Sequence, residues 1–238
     1  MPENFIVWFE TTFNFLYLAA IWGLTIAMYK RLPSVDEERS SLAQLIVAAF
    51  ALLAFGDTGH VGFRALALVF GGEESTVLIG GMPIRWLSLG TLATTATVTV
   101  FYVLILVIWQ RRFNKDYGWF GIFLFLAAII RLVMTMLPVN DWNASMPVQP
   151  WSTYRNIPLM VQGLGVAYLI LRDAKAEGDK AFTQIGYMIL LSFAFFIPVI
   201  LFVQKMPMIG MLMIPKTLAY VAIAVIAYKN IFKTPETA

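Results

Sequence analysis

Long apolar stretches alternate with short polar segments along the chain. A bilayer core of about 30 Å requires roughly 20 apolar residues in one helix, and seven stretches approach or exceed this length. The polar segments between them are too short to fold separately, so we interpret residues 1–238 as a single domain. The pattern predicts an all-α integral membrane bundle of seven helices, with spans near 5–28, 42–62, 86–109, 117–137, 157–171, 183–203 and 209–228.

Composition supports this interpretation and excludes several classes of function. Hydrophobic residues make up 60% of the chain and charged residues 13%, whereas an ordinary soluble domain is about a quarter charged. This charge content excludes a soluble enzyme and a nucleic-acid-binding module. The chain has no cysteine and one histidine. Zinc–thiolate, iron–sulfur and multi-histidine centres are therefore excluded, and we predict no metal site.

Lysine and arginine are distributed unequally among the polar segments. Eleven lie in the first, third and fifth connections and after the last span, against four in the other connections. Because basic residues gather in cytoplasmic loops, this predicts an external N-terminus and a cytoplasmic C-terminus in a plasma or inner membrane. The eleven are Lys30, Arg31, Arg39, Arg111, Arg112, Lys115, Arg172, Lys175, Lys180, Lys229 and Lys233, and the four are Arg64, Arg85, Arg155 and Lys205.

Ionisable residues inside the spans are the first candidates for a site, because a charge in a bilayer is costly and usually functional. Asp57, His60 and Arg64 follow one another at spacings of three and four, so they share one face of the second helix. The alternative is an internal salt bridge of these three residues that only fixes packing. At about 1.5 Å of rise per residue, Arg131 and Lys216 fall in the same outer layer. We predict that this layer lines an outward-facing polar pocket.

The fourth connection adds candidates above this layer. Asn140, Asp141 and Arg155 lie in polar and aromatic segments that could form a lid or a specificity wall. For Lys216 we expect Asp57 or Glu10 as the partner, and the alternative is an amine that reaches the membrane surface. The candidate ligand-binding set is Asp57, His60, Arg64, Arg131, Asn140, Asp141, Arg155 and Lys216.

Seven spans, an external N-terminus and a lysine in the last span resemble the layout of the retinal-binding microbial rhodopsins. That resemblance implies Lys216 as the attachment point of a covalent chromophore. Leu212 stands where the family has an acid four residues before its lysine, and Arg85-Trp86-Leu87-Ser88 carries no acidic counterion. A photoreceptor or pump is therefore an alternative. The seven predicted spans are also similar to the seven-helix bundles of the ceramidase-like membrane hydrolases. Those enzymes bind zinc through several histidines, which a chain with one histidine cannot supply.

Cations outnumber acids in the predicted pocket, which favours a small anionic or amphipathic ligand. We therefore interpret the chain as a receptor-like, sensor or binding protein of the lipid bilayer rather than an enzyme. One alternative is a proton-coupled transporter that uses Asp57 and His60. Another is a membrane enzyme acting on a lipid-type substrate, with His60 as base and Arg64 and Arg131 holding an oxyanion. A sensor of this kind would need a separate signalling partner or a homo-oligomer, and no cofactor beyond a chromophore on Lys216 is indicated.

Overall fold

Helices dominate the computed structural model, which describes residues 3–144 and 147–232. Within these residues, seven segments are long and apolar enough to cross a membrane, which confirms the predicted number of spans and the all-helical class. The fifth segment, Trp151–Ala176, contains two helices. The helices are α1 (Glu3–Arg31), α2 (Glu37–Val69), α3 (Trp86–Phe113), α4 (Gly118–Met136), α5 (Trp151–Tyr154), α6 (Ile157–Ala176), α7 (Lys180–Phe202) and α8 (Met213–Ala227).

Several helices continue beyond the apolar stretches that predict them. The second span was expected over residues 42–62, whereas α2 extends from Glu37 to Val69. The last segment is also longer than α8, because a 3-10 turn at Pro207–Leu212 precedes it and a π-helical turn at Tyr228–Phe232 follows it. Hydropathy marks only the residues that cross hydrocarbon, and a helix needs no apolar side chains outside that layer.

The helices pack around α3, which contacts α2, α4 and α6. A ring of contacts from α6 through α7, α8 and α1 back to α2 completes the bundle. Small residues bring α2 close to α3, as membrane helices commonly require. A Cβ atom added at Gly56 would overlap the side chain of Thr97, and one added at Gly59 would lie 3.3 Å from the Cβ of Ala93. Gly62, which follows Gly59 by three residues on α2, has nothing within 4 Å of a Cβ atom added in the same way.

The connection between α2 and α3 folds into an antiparallel hairpin, which the sequence analysis did not predict. Strands β1 (Thr76–Ile79) and β2 (Met82–Arg85) pair across Gly80 and Gly81. These glycines have φ values of 60° and 81°, a left-handed conformation that a two-residue hairpin turn requires and that glycine adopts without strain. We call the end of the bundle that carries this hairpin the hairpin end.

Arg85 joins the hairpin to the rest of the hairpin end. Its Nη2 atom donates to the carbonyl oxygen of Glu73 at 2.9 Å and lies 2.8 Å from Oε1 of Glu74. Its backbone N–H donates to Oδ1 of Asn143 in the α4–α5 connection at 3.1 Å. Two connections that are far apart in sequence are therefore held together above the helices.

The opposite end, which we call the basic end, carries the segments with eleven lysines and arginines in the sequence. Lys233, one of the eleven, lies outside the described residues. Among the described residues, three ion pairs lie there. Arg112 with Asp179 at 2.7 Å and Lys115 with Glu177 at 3.8 Å join segments that are distant in sequence, whereas Arg172 and Asp173, at 2.8 Å, are neighbours in α6.

Candidate functional site

A cavity of about 450 Å³ lies in the half of the bundle nearest the hairpin end. All seven membrane-spanning segments contribute residues to its walls. Its volume lies in the range of pockets for small organic ligands, about 300–1,000 Å³. Six of the eight candidate residues line it, namely Asp57, His60, Arg64, Arg131, Arg155 and Lys216.

The cavity has one polar wall and one apolar wall. The polar wall comes from α2, α3 and α4, where Asp57, His60 and Arg131 line the cavity together with Thr91, Thr94 and Thr95. The apolar wall comes from α7, α8 and the turn between them. Its residues are Phe196, Ile200, Val203, Met211 and Ile214. A ligand that fills this space would therefore contact polar groups on one side and hydrocarbon on the other.

A buried aromatic layer closes the cavity toward the basic end. Tyr220 forms part of the floor, and its hydroxyl lies 3.0 Å from the hydroxyl of Tyr102. Tyr102 packs against Phe101 and Phe193, with ring centroids 5.3 and 5.4 Å away. These three side chains are at most 2% exposed. The polar groups of the cavity are thus separated from the basic end by packed rings.

Arg131 is buried in the polar wall at 4% exposure. Its Nη1 atom donates to Oγ1 of Thr99 at 2.7 Å and to the carbonyl oxygen of Thr95 at 3.3 Å. Its Nη2 atom donates to Oδ1 of Asn156 at 3.4 Å. The Nε–H group has no partner among the described residues, and no carboxylate oxygen there lies within 4.0 Å of the guanidinium.

Arg155 is the second buried cation, and Asn140 positions it. The Nη1 atom of Arg155 donates to Oδ1 of Asn140 at 3.1 Å, and its guanidinium carbon lies 4.1 Å from the ring centroid of Trp142. Asn140 does not line the cavity, but its amide nitrogen donates to the carbonyl oxygens of Met134 and Leu137 at 2.6 and 2.8 Å. These bonds fix the amide oxygen that Arg155 contacts.

Asp141 is the candidate that the structure places apart from the others. Its side chain is exposed and does not line the cavity. The residue has a φ of 39° at the end of the Pro138–Asn140 turn, a left-handed conformation that aspartate tolerates better than most residues. Its position indicates a role in turning the chain.

Lys216 reaches the cavity from the first turn of α8. Its Nζ atom lies 4.4 Å from the ring centroid of Phe196 and 5.8 Å from that of Tyr220, so the ammonium group contacts aromatic faces. The expected ion pair is not formed. Asp57 accepts a hydrogen bond of 2.5 Å from Tyr17, Glu10 lies 3.9 Å from Arg64, and no described carboxylate lies within 4.0 Å of Nζ.

Arg64 differs from the other cations of the cavity because it has acidic partners. Its Nη2 atom lies 3.5 Å from Oε1 of Glu73 and 3.9 Å from Oε2 of Glu10. Arg64 therefore links α1 to the segment before the hairpin. The alternative of a salt bridge among Asp57, His60 and Arg64 is not formed, since the carboxylate of Asp57 contacts Tyr17 instead.

The lining residues leave positive charge uncompensated. Four cations and two acids line the cavity, an excess of two positive charges with His60 neutral. Among the described residues there is no group of three or more metal-ligating acids or histidines, and Lys216 is the one amine side chain on the cavity wall. The arrangement is suited to holding an anion.

Two contributors to the site were not among the sequence candidates. Tyr17 donates a hydrogen bond to Asp57, and Tyr220 forms part of the cavity floor. Tyr17 lies seven residues after Glu10, two helical turns along the same face, and this spacing is a signal that could have found it. Tyr220 stands in an apolar stretch and carries no comparable signal.

No protein-family model matches this chain, and searches of curated proteins and of solved structures found no match either. The geometry of the cavity is therefore the basis for the functional argument.

Proposed function

We propose that this multi-pass membrane protein binds a small anionic or amphipathic ligand in the cavity, as a receptor, sensor or binding protein. One observation carries the proposal. Arg131, Arg155 and Lys216 line the same cavity, and none of them has a carboxylate within 4.0 Å in the described part of the chain. Unpaired cations in a low-dielectric interior are costly. A bound anion would supply the missing counter-charge.

The apolar wall supports an amphipathic ligand. Phe196, Ile200 and Ile214 offer hydrocarbon beside the cations. Burying apolar ligand surface contributes about 25 cal/mol per Å², so a short alkyl chain would add affinity without any further polar contact.

We propose that the hairpin end is external, with the N-terminus outside and the C-terminus in the cytoplasm. The support is the count of eleven basic residues against four. In this orientation the ligand enters from outside or from the outer leaflet of a plasma or inner membrane. A sensor of this form would pass its signal to a separate partner or to a second copy.

The closed floor favours binding over transport. A carrier would have to open the layer of Tyr102, Phe101 and Phe193, and these side chains are packed and almost fully buried. In the proposed function, the protein therefore binds its ligand in one half of the membrane and does not carry it across.

The test is calorimetric titration of the protein in nanodiscs of neutral phosphatidylcholine. Three eight-carbon amphiphiles are compared: octanoate, octyl glucoside and octyltrimethylammonium. We expect octanoate to bind most tightly and Arg131→Gln to weaken it about tenfold, since a charge-assisted hydrogen bond is lost. Lys205→Gln is the matched control, because Lys205 is an exposed cation at the same end that does not line the cavity. Equal binding of the three amphiphiles, or an unchanged affinity in Arg131→Gln, would contradict the proposal.

A further inference from the structure

The three unpaired cations form a single group within the cavity. The positive charges of Arg131, Arg155 and Lys216 line the same cavity, where like charges repel one another. Of the two acids that line this cavity among the described residues, Glu10 lies beside Arg64 and Asp57 accepts a hydrogen bond from Tyr17. Three cations and one acid leave two positive charges in the group. A ligand that neutralises the group carries two negative charges.

The unused hydrogen-bond donors of this group come from separate parts of the chain. Arg131 on α4 donates through Nη1 to Thr99 and Thr95 and through Nη2 to Asn156, which leaves one Nη2–H group without a partner among the described residues. Lys216 on α8 has an ammonium group that contacts only aromatic faces among the described residues. Arg155, between α5 and α6, has one bonded nitrogen, Nη1, and further donors. Donors from three cations that line one cavity suit a tetrahedral group with three terminal oxygens better than a planar carboxylate with two.

From the charge and the donor arrangement we infer that the cavity takes a phosphate monoester, with its doubly charged head between Arg131, Arg155 and Lys216. This inference rests on the proposed anion-binding function and narrows its ligand class. The ester substituent extends along Ile200, Val203 and Ile214, the apolar wall. The shared chemistry is a phosphate dianion, whose source is either a single-chain lipid or free phosphate.

The experiment compares four anions at about pH 7, where a phosphate monoester with a second pKa of about 6 is mostly doubly charged. Octyl phosphate has a tetrahedral head with two negative charges, and octyl sulfate has a tetrahedral head with one. Octanoate has a planar carboxylate head, and inorganic phosphate has no alkyl chain. Calorimetry in neutral nanodiscs is expected to show octyl phosphate binding about tenfold more tightly than octyl sulfate. Lys216→Gln and Arg155→Gln should each reduce this preference, whereas Lys205→Gln should leave it unchanged.

Each outcome separates this inference from the broader function. Equal binding of octyl phosphate, octyl sulfate and octanoate would overturn the phosphate assignment while the anion-binding function stands. Binding of none of the four would overturn both. If inorganic phosphate binds as tightly as octyl phosphate, the result supports a phosphate dianion as the ligand and identifies free phosphate as its source. If inorganic phosphate binds about a hundredfold more weakly than octyl phosphate, the result supports a lipid monoester. Thermal unfolding of each variant verifies that it is folded, and two independent cation variants keep the test decisive if one of them fails to fold.

Discussion

The basic end and the cavity differ in whether their charged side chains have oppositely charged partners. At the basic end, Asp173 accepts two hydrogen bonds from Arg172 at 2.9 and 2.8 Å and a third from Nε1 of Trp109 at 2.8 Å. Asp179 accepts from Arg112 and from the backbone N–H of Phe182, the latter at 3.0 Å. In the cavity, Arg131, Arg155 and Lys216 have no carboxylate within 4.0 Å among the described residues.

The difference separates charges that stabilise the fold from charges that we propose bind a ligand. A buried carboxylate with three donors stabilises the helices that supply those donors. A buried cation without a carboxylate stabilises nothing by Coulomb attraction, and its desolvation lowers stability. The two sites should therefore respond differently to the loss of one charged side chain. Stability should depend on the basic end, and ligand affinity should depend on the cavity.

The largest effect on stability is expected for Asp173→Ala. It leaves the buried N–H of Trp109 without an acceptor and breaks the bidentate contact with Arg172. The free energy of unfolding should fall by about 2 kcal/mol, measured by equilibrium unfolding in mixed micelles. The control is Asp116→Ala, which removes an exposed acid at the same end. Equal losses in both variants would show that the network around Asp173 does not stabilise the bundle.

Arg131→Met should give the opposite result in the cavity. The methionine fills part of the volume and removes an uncompensated charge, so the unfolding free energy of the free protein should change by less than about 1 kcal/mol. The stabilisation by octyl phosphate should be lost. Thermal unfolding with and without octyl phosphate measures both quantities, and Arg131→Lys, which keeps the charge but not the fork of donors, should retain part of the ligand effect. A loss of stability as large as that of Asp173→Ala would assign Arg131 to the fold instead.

An intermediate effect is expected for Asp57→Asn. This change removes a negative charge from the cavity wall, so the cavity becomes more positive while the amide oxygen still accepts from Tyr17. Anion affinity should increase about threefold to fivefold, which corresponds to a charge interaction of about 1 kcal/mol. Calorimetry with octyl phosphate measures the change, and octyl glucoside serves as the uncharged control. Weaker anion binding would mean that the carboxylate itself contacts the ligand.

Much of the fold could be predicted because hydrocarbon thickness imposes one rule on every span. Apolar length identified all seven segments, although the fifth was predicted only over 157–171 and extends over Trp151–Ala176. The hairpin was missed because its strands are only four residues long and its pairing depends on the Gly80-Gly81 turn. That turn has a known sequence signal, two glycines between strand-forming residues.

The site was harder to predict because residue type does not specify partners. Asp57 and Lys216 were identified as ionisable groups inside the spans, yet their expected pairing depends on side-chain directions that the sequence does not give. In the structure, Asp57 accepts a hydrogen bond from Tyr17, and the ammonium group of Lys216 lies over an aromatic ring. Asn140 and Asp141 are adjacent in sequence, but one supports Arg155 and the other is exposed. Such a distinction arises from a left-handed turn that spacing alone does not show.

The smallest effect is expected for Arg64, although it lines the same cavity. Glu73 and Glu10 already compensate its charge at 3.5 and 3.9 Å, and its side chain is 42% exposed, so Arg64→Gln should lower octyl phosphate affinity less than about threefold. The double variant Glu10→Gln with Glu73→Gln should release Arg64 and strengthen binding, because the cation then becomes available to the ligand. If Arg64→Gln instead weakens binding as much as Arg131→Gln, the anion sits nearer the hairpin end than the unpaired cations indicate.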